Sequence, residues 1–248
     1  MKYGILGYPL DHSLSPKLHN AAFTKFGIDA SYEKFEVKDL EEFSFNEIKG
    51  LSITIPHKEG IIKYLDEINP VASEIGAVNT VKNNGKLIGY NTDVVGFLKP
   101  LEKVDLDGEK IVVLGAGGAA RAVCYGLKDH DLIILNRTLD KAKVLADEFG
   151  GEALDSLNDI KADIIVNTTS VGLNSDESLV DKEFLSKHKP LVYDIIYTET
   201  KLIKDAKEIG CQVITGMDMF IYQAIEQFKI WTGKEVEYEF FKGIVEKN

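Results

Sequence analysis

Ile111-Val112-Val113-Leu114-Gly115-Ala116-Gly117-Gly118-Ala119-Ala120 decides the fold of half this chain. Its first four residues are an unbroken apolar run, the pattern of a strand covered on both faces in a parallel sheet. A glycine-rich turn follows at once, then a helical run to about Lys128. Gly115, Gly117 and Ala120 occupy the three positions of G-x-G-x-x-G/A. The first permits the tight turn, the second lets the backbone approach a pyrophosphate, and the small third lets helix and strand pack closely. Gly115, Ala116, Gly117, Gly118 and Ala119 would seat the phosphates at the positive end of that helix. Such a turn also serves plain strand-to-helix connections. Here the whole strand–turn–helix–strand context favours a dinucleotide.

The next strand, Leu132 to Leu135, ends about 20 residues on, where an NAD site usually places an acid for the ribose 2′-hydroxyl. This chain has Asn136-Arg137-Thr138 instead, an amide, a guanidinium and a hydroxyl that can all donate to a 2′-phosphate. Arg137 can also lie flat on an adenine ring, the alternative being a solvated arginine at a strand end. The expected cofactor is NADP.

Outward from this unit, short β-branched runs alternate with amphipathic stretches. Strands are expected at Tyr3 to Leu6, Tyr32 to Val37, Leu51 to Ile55, Ile164 to Val166, Leu191 to Ile195 and Gln212 to Ile214, with helices such as Lys17 to Phe26 and Leu139 to Phe149 between them. Repeated strand-then-helix means right-handed crossovers and a mainly parallel sheet. Asn79 to Tyr90 departs from this, reading as two short strands around Asn83-Asn84-Gly85. A helical stretch from Asp93 to about Leu101 and a polar stretch, Glu102 to Lys110, then mark a boundary. The expected fold is α/β, with an N-terminal α/β substrate domain and a Rossmann-type doubly wound NADP-binding domain. The first spans 1–102 with C-terminal helices at about 217–248, the second 103–216.

Composition narrows the function. The formal net charge of −11 disfavours nucleic acid and anionic membrane as partners, so positive potential for an anionic substrate has to be local. No run approaches the roughly 18 apolar residues of a membrane span, and the N-terminus reads as a strand, not a signal peptide. The chain is expected to be soluble and cytoplasmic, with a homodimer left open. Cys124 and Cys211 lack metal-ligand spacing and read as small buried hydrophobes, so no metal is expected.

Polar residues gather where strands of the first domain end. Ser13-Leu14-Ser15-Pro16 precedes a helix, and Ser15 as N-cap with Pro16 at the first helical position explains the pair structurally. Ser13 has no such explanation, and paired hydroxyls at a helix start would also suit a carboxylate. In Ser52-Ile53-Thr54-Ile55-Pro56-His57-Lys58, Thr54 points away from Ile53 and Ile55, and Lys58 stands just past the strand end. A cation there, against the helix dipole, suggests a neighbouring anion. Asp93 either N-caps the helix after Asn91-Thr92 or meets that cation. Hydride transfer to a ketone leaves an oxygen that must gain a proton, and a Lys–Asp pair stabilises that charge and relays the proton. Lys58 and Asp93 are the chosen pair.

These blocks, S-L-S-P-x-x-H-N (13–20), T-I-P-H-K (54–58), G-A-V-N-T (76–80), N-T-D-x-x-G-F (91–97), G-A-G-G-A-A-R-A (115–122), N-R-T-x-x-K-A (136–142), N-T-T-S-V-G-L (167–173) and G-M-D-M-F-I-Y-Q (216–223), together resemble the shikimate dehydrogenase family and span nearly the whole chain. The resemblance implies reversible NADPH reduction of 3-dehydroshikimate to shikimate, two α/β domains with the site in a cleft, and closure over the substrate. It implies that Ser13 and Ser15 hold the substrate carboxylate, that Thr54, Asn79, Asp93 and Gln223 bind hydroxyls, that Tyr197 lies near the carboxylate, and that Lys58 carries the proton. It implies NADP contacts at Gly115 to Ala119, Asn136, Arg137, Thr138, Lys141, Ile195 and Gly216, with Thr168 and Ser170 near the path from phosphate to nicotinamide. The family usually has asparagine where this chain has Ser52, a shorter side chain with one weaker substrate bond implied. The loop Thr198-Glu199-Thr200 is shorter than usual and lacks a proline, and the stretch Val37 to Gly50 is trimmed. Two rivals stand beside this reading. A quinate/shikimate dehydrogenase would often use NAD, against Arg137 and Thr138; a non-catalytic binding protein on the same fold would have a damaged Lys–Asp pair or glycine turn, and both are intact.

Overall fold

A computed structural model describes residues 1–11, 13–158 and 160–247. The chain forms two compact units, Met1–Val95 with Ile221–Asn248, and Gly96–Phe220. The division therefore falls earlier than the 102/103 boundary expected from the polar stretch. Phe97 and Leu101 explain the difference, because both are buried in the core of the second unit, where Phe97 stacks on Tyr193 with ring centroids 5.0 Å apart.

The first unit contains β1 (Lys2–Gly7), α1 (Ser15–Lys25), β2 (Ser31–Glu36), β3 (Ile48–Ile53), β4 (Glu67–Ile68), α2 (Pro70–Ile75), β5 (Thr80–Asn83), β6 (Leu87–Tyr90) and the start of α3 (Asp93–Leu98). Its mixed sheet has the order β2-β1-β3-β5-β6-β4, with β2, β1 and β3 parallel and β5 antiparallel to both β3 and β6. Leu6, Leu51, Ile53, Ile61 and Val81 form one buried cluster. A second, aromatic cluster joins Tyr3, Phe23, Phe228 and Trp231. Burying each such side chain contributes about 1.5–3 kcal/mol, enough to hold the C-terminal helices on a unit far away in sequence.

The second unit contains β7 (Lys110–Leu114), α4 (Gly118–Gly126), β8 (Asp131–Leu135), α5 (Leu139–Phe149), β9 (Glu152–Leu154), β10 (Ile164–Asn167), α6 (Lys182–His188), β11 (Leu191–Asp194), α7 (Lys201–Ile209) and β12 (Val213–Thr215). Two further helices follow, α8 (Gly216–Thr232) and α9 (Tyr238–Val245), and the division between units cuts α8 after Phe220. All six strands of this sheet are parallel, in the order β9-β8-β7-β10-β11-β12. That is the 3-2-1-4-5-6 order of the Rossmann fold, whose direction of winding reverses between β7 and β10. The alternation of buried residues shows why β7 is apolar from Ile111 onward: Ile111 and Val113 join the cluster of α4 and α5, while Val112 and Leu114 join that of α6 and α7. Both faces are covered along these four residues, so none of the four can be polar.

Three local expectations are corrected. β3 begins at Ile48 and stops at Ile53, and Ile55 is 64% exposed. The edge strands β4 and β9 are too short and polar to announce themselves in the sequence. Ser15 is not an N-cap: α1 begins at Ser15 itself, Leu14 holds the capping position without a side-chain bond, and the Ser15 N–H reaches Ser13 Oγ at 3.4 Å.

Candidate active site

In the first unit, a hairpin brings the key residues together. Gly85, with φ +105°, allows the turn, and the pairing Thr80↔Tyr90 fixes the register so that Asn79 lies beside the segment Asn91-Thr92-Asp93. The Thr92 N–H donates to Asn79 Oδ1 at 2.7 Å, and Asn79 Nδ2 donates to Thr92 Oγ1 at 2.9 Å and to Asp93 Oδ1 at 2.8 Å. On the other side, the carbonyl of Lys58 accepts from the Val78 N–H at 2.7 Å, which places the lysine next to the same segment. Lys58 Nζ then meets Asp93 Oδ2 at 2.6 Å. Their side chains are only 16% and 7% exposed, so this pair is largely withdrawn from water. A pair this sheltered is costly to build and strongly destabilising to break from one side, by about 3–5 kcal/mol.

Asp93 is thus the first residue of α3, with both carboxylate oxygens spent on Asn79 and Lys58, and its own N–H is capped by Asn91 Oδ1 at 3.0 Å. Of the two readings the sequence left open for it, the structure takes the partner of Lys58. Thr54 is half-buried just past β3, its N–H held by the Leu6 carbonyl at 3.0 Å. Gln223 is half-buried on α8, within the first unit.

The second unit carries a different arrangement. Gly115 has φ +110°, and a Cβ there would lie 2.6 Å from Thr168 Oγ1, so only glycine fits between the ends of β7 and β10. A Cβ on Gly117, in contrast, would meet no atom within 4 Å. Gly117 caps α4, whose first turn has no side-chain cap and no acidic residue. Ala120 is fully buried in the core. An open space in front of uncapped helix amides, at the switch point of the sheet, fits a dinucleotide pyrophosphate.

Beyond β8, Asn136 Nδ2 closes a turn on the Thr138 carbonyl at 2.9 Å. Thr138 stands at the N-cap of α5 without using its hydroxyl there. Arg137, Thr138 and Lys141 are exposed, and among the described residues neither Arg137 nor Lys141 has an ion pair. These donors fit a 2′-phosphate. Thr168 Oγ1 donates to the Leu114 carbonyl at 2.6 Å, and Ser170 is exposed in the loop after β10. Gly216 packs directly against the Ile195 carbonyl, where a side chain would collide. Tyr197 packs at a tilt against Phe220, centroids 5.2 Å apart.

One network here escaped the sequence reading. Asp194, fully buried at the end of β11, accepts from Asn167 Nδ2 at 3.1 Å, the Ile196 N–H at 3.0 Å and Thr200 Oγ1 at 2.7 Å. Asn167 Oδ1 in turn accepts from the Thr169 N–H and hydroxyl. Burial raises the Asp194 carboxyl above its ordinary range, and these three donors lower it only in part. The signal was there: a carboxylate ending an otherwise apolar strand, Leu191 to Asp194, has to find donors at the strand ends.

A doubly wound sheet ending in an open glycine turn, joined in one chain to a unit holding a sheltered ammonium–carboxylate pair, defines a dinucleotide-dependent oxidoreductase. The family model for the shikimate dehydrogenase substrate binding domain matches residues 5–81, that for shikimate/quinate 5-dehydrogenase matches 99–195, and that for the shikimate 5′-dehydrogenase C-terminal domain matches 216–245. The chain belongs to the shikimate dehydrogenase family. It is 45% identical to the NADP(+) shikimate dehydrogenase of Pyrococcus abyssi over 98% of this chain and 96% of that protein. The crystal structure of the Aquifex aeolicus shikimate dehydrogenase is similar with a TM-score of 0.92 at 44% identity, covering 99% of this chain and 97% of that one. The Thermus thermophilus enzyme, solved in complex with NADP(H) and shikimate, is similar with a TM-score of 0.90 at 34% identity, covering 100% and 99%. Among the described residues no helix is long and apolar enough to cross a membrane, and no cluster of three or more His, Cys, Asp or Glu side chains could hold a metal ion.

Proposed function

We propose that this protein is a cytoplasmic NADP-dependent shikimate dehydrogenase that reversibly reduces 3-dehydroshikimate to shikimate, on the route to chorismate and the aromatic amino acids. The observation that carries the reading is the 2.6 Å Lys58–Asp93 pair, sheltered and held by Asn79. The bound nicotinamide supplies or takes the hydride. Lys58 gives a proton to the oxygen that gains charge as the ketone is reduced, and takes it back in the reverse direction. Asp93 keeps the ammonium aimed and accepts from a neighbouring substrate hydroxyl. Asn79, whose amide hydrogens are already taken by Thr92 and Asp93, acts on the substrate chiefly by fixing Asp93. Thr54 and Gln223 bind further hydroxyls, Ser13 and Ser15 hold the carboxylate, and Tyr197 lies near it.

Gly115 to Ala119 seat the pyrophosphate; Asn136, Arg137, Thr138 and Lys141 receive the 2′-phosphate; Thr168, Ser170, Ile195 and Gly216 shape the path to the nicotinamide. The test is the change in nicotinamide absorbance when purified protein is mixed with shikimate and NADP+, repeated with quinate and with NAD+. Shikimate with NADP+ is expected to give the highest kcat/KM. Turnover of quinate with NAD+ at equal or greater efficiency would replace this reading with the quinate/shikimate one. Light scattering of the same preparation reads whether it acts alone or as a homodimer.

A further inference from the structure

We propose that Gln227, together with Tyr32 and Ser52, is a positioning residue of this site: the three form a buried hydrogen-bonded seam running from Ser15 to the Lys58–Asp93 pair. The inference rests on the function proposed above. Tyr32 comes from β2, Ser52 from β3 and Gln227 from α8, and they are 2%, 5% and 1% exposed. Tyr32 Oη donates to Ser52 Oγ at 2.6 Å, and the Ser15 hydroxyl is its polar neighbour on the other side. Ser52 Oγ donates to Gln227 Oε1 at 2.8 Å. Gln227 Nε2 donates at 3.3 Å to the Asn79 carbonyl, which also accepts from the Ile53 N–H at 2.7 Å. From Asn79 the seam continues through Nδ2 to Asp93 and so to Lys58.

Stability alone is a weak reason for such a seam. Its flanks are aromatic: the buried His19 imidazole stacks on Tyr32 with centroids 4.6 Å apart and neighbours the Gln227 amide, and Trp231 lies 6.0 Å from the same Tyr32 ring. Phenylalanine, alanine and leucine would fill the three positions, and replacing both partners of a buried hydrogen bond by apolar groups is close to neutral. What apolar side chains would not do is tie one end of the site to the other. Ser15, proposed to hold the carboxylate, stands at one end, and the group that carries the proton stands at the other. Gln223, one helical turn before Gln227 on α8, is carried by the same anchor. The seam cannot conduct protons, because it runs into an amide. Its chemistry is to fix distances.

The test uses Gln227→Leu and Tyr32→Phe in the full chain. In Gln227→Leu, kcat/KM for shikimate is expected to fall about tenfold or more, as coupled networks do, while KM for NADP+ stays within about twofold. Tyr32→Phe keeps the ring and removes only the seam's first donor, so the same split is expected at smaller size. A second readout does not depend on activity: the NMR signals of the Asn79 side-chain amide and the Thr92 N–H, protected in the wild type, are expected to shift and exchange faster in Gln227→Leu. Unchanged Asn79 and Thr92 signals, or unchanged kinetic constants with only a lowered melting temperature, would overturn the proposal. A wild type inactive toward shikimate would defeat the function reading instead, and the Asn79 signals would still decide the seam.

Discussion

In the unit built on β1 to β6, Lys58, Asn79 and Asp93 are locked to one another by side-chain bonds of 2.6 to 2.8 Å. In the unit built on β7 to β12, the strand ends offer an empty glycine position, uncapped helix amides, and exposed Arg137 and Lys141, which have no ion pair among the described residues. The difference follows from what each is proposed to do. Moving a proton to a developing oxyanion requires donors fixed before the charge appears, since reorganising them during the reaction would raise the barrier. Seating a pyrophosphate requires side chains to be missing, so that backbone N–H groups can approach it. Where the second unit does bury polar groups, around Asp194 and Asn167, they tie strand ends and loops together and remain at the backbone's service.

Three substitutions test this division. The largest effect is expected from Lys58→Ala: kcat should fall by about 10²–10⁴, the range for a lost general acid, with NADP+ binding retained in calorimetry. Wild-type turnover in this variant would break the comparison at its centre. A smaller effect is expected from Arg137→Ala. Loss of a charge-assisted bond of about 1.5–3 kcal/mol should raise KM for NADP+ by roughly ten- to a hundredfold while leaving KM for shikimate and KM for NAD+ nearly unchanged. If KM for shikimate rose instead, the assignment of cofactor and substrate to separate units would fail.

The smallest effect concerns acid, and here the two units are expected to respond with opposite sign. His19 is fully buried in the first unit, and neither ring nitrogen meets the geometry of a full hydrogen bond. Burial lowers its pKa from 6.5 to about 3, only partly offset by the neighbouring Gln227 amide. Below pH 6.5 the unfolded chain takes up a proton that the native state refuses, so stability present above 6.5 is lost as the pH falls towards about 3. The slope is at most about 1.4 kcal/mol per pH unit. Asp194 in the second unit has a raised pKa, so its contribution is fully present at acid pH and is lost as the pH rises through the native value. Hydrogen exchange at pH 7 and pH 5 should therefore show protection falling more in β1 to β3 than in β7, β10 and β11. His19→Phe should flatten that loss. Equal losses in both sheets, unaffected by His19→Phe, would count against the difference.

The sequence alone determined the parts that are local in the chain. The apolar run Ile111 to Leu114 and the glycines behind it have to be a buried strand and a tight turn, because no other backbone suits them. Arg137 follows the next strand by spacing, and the hairpin around Gly85 follows from its turn residues. Lys58 and Asp93 could be named from residue type and position, although their 2.6 Å contact could not. Tertiary structure decided the rest. Gln227 reads as one more polar residue on a helix until α8 folds back on β3 and β5, and Ser15 reads as a cap until α1 is seen to begin at it. A hydrogen bond between residues 52 and 227, or 79 and 227, has no periodicity to betray it. It exists because packing of Phe228 against Phe23 and of Trp231 against Tyr3 delivers the glutamine to a place where its amide must find partners or leave polar atoms buried alone.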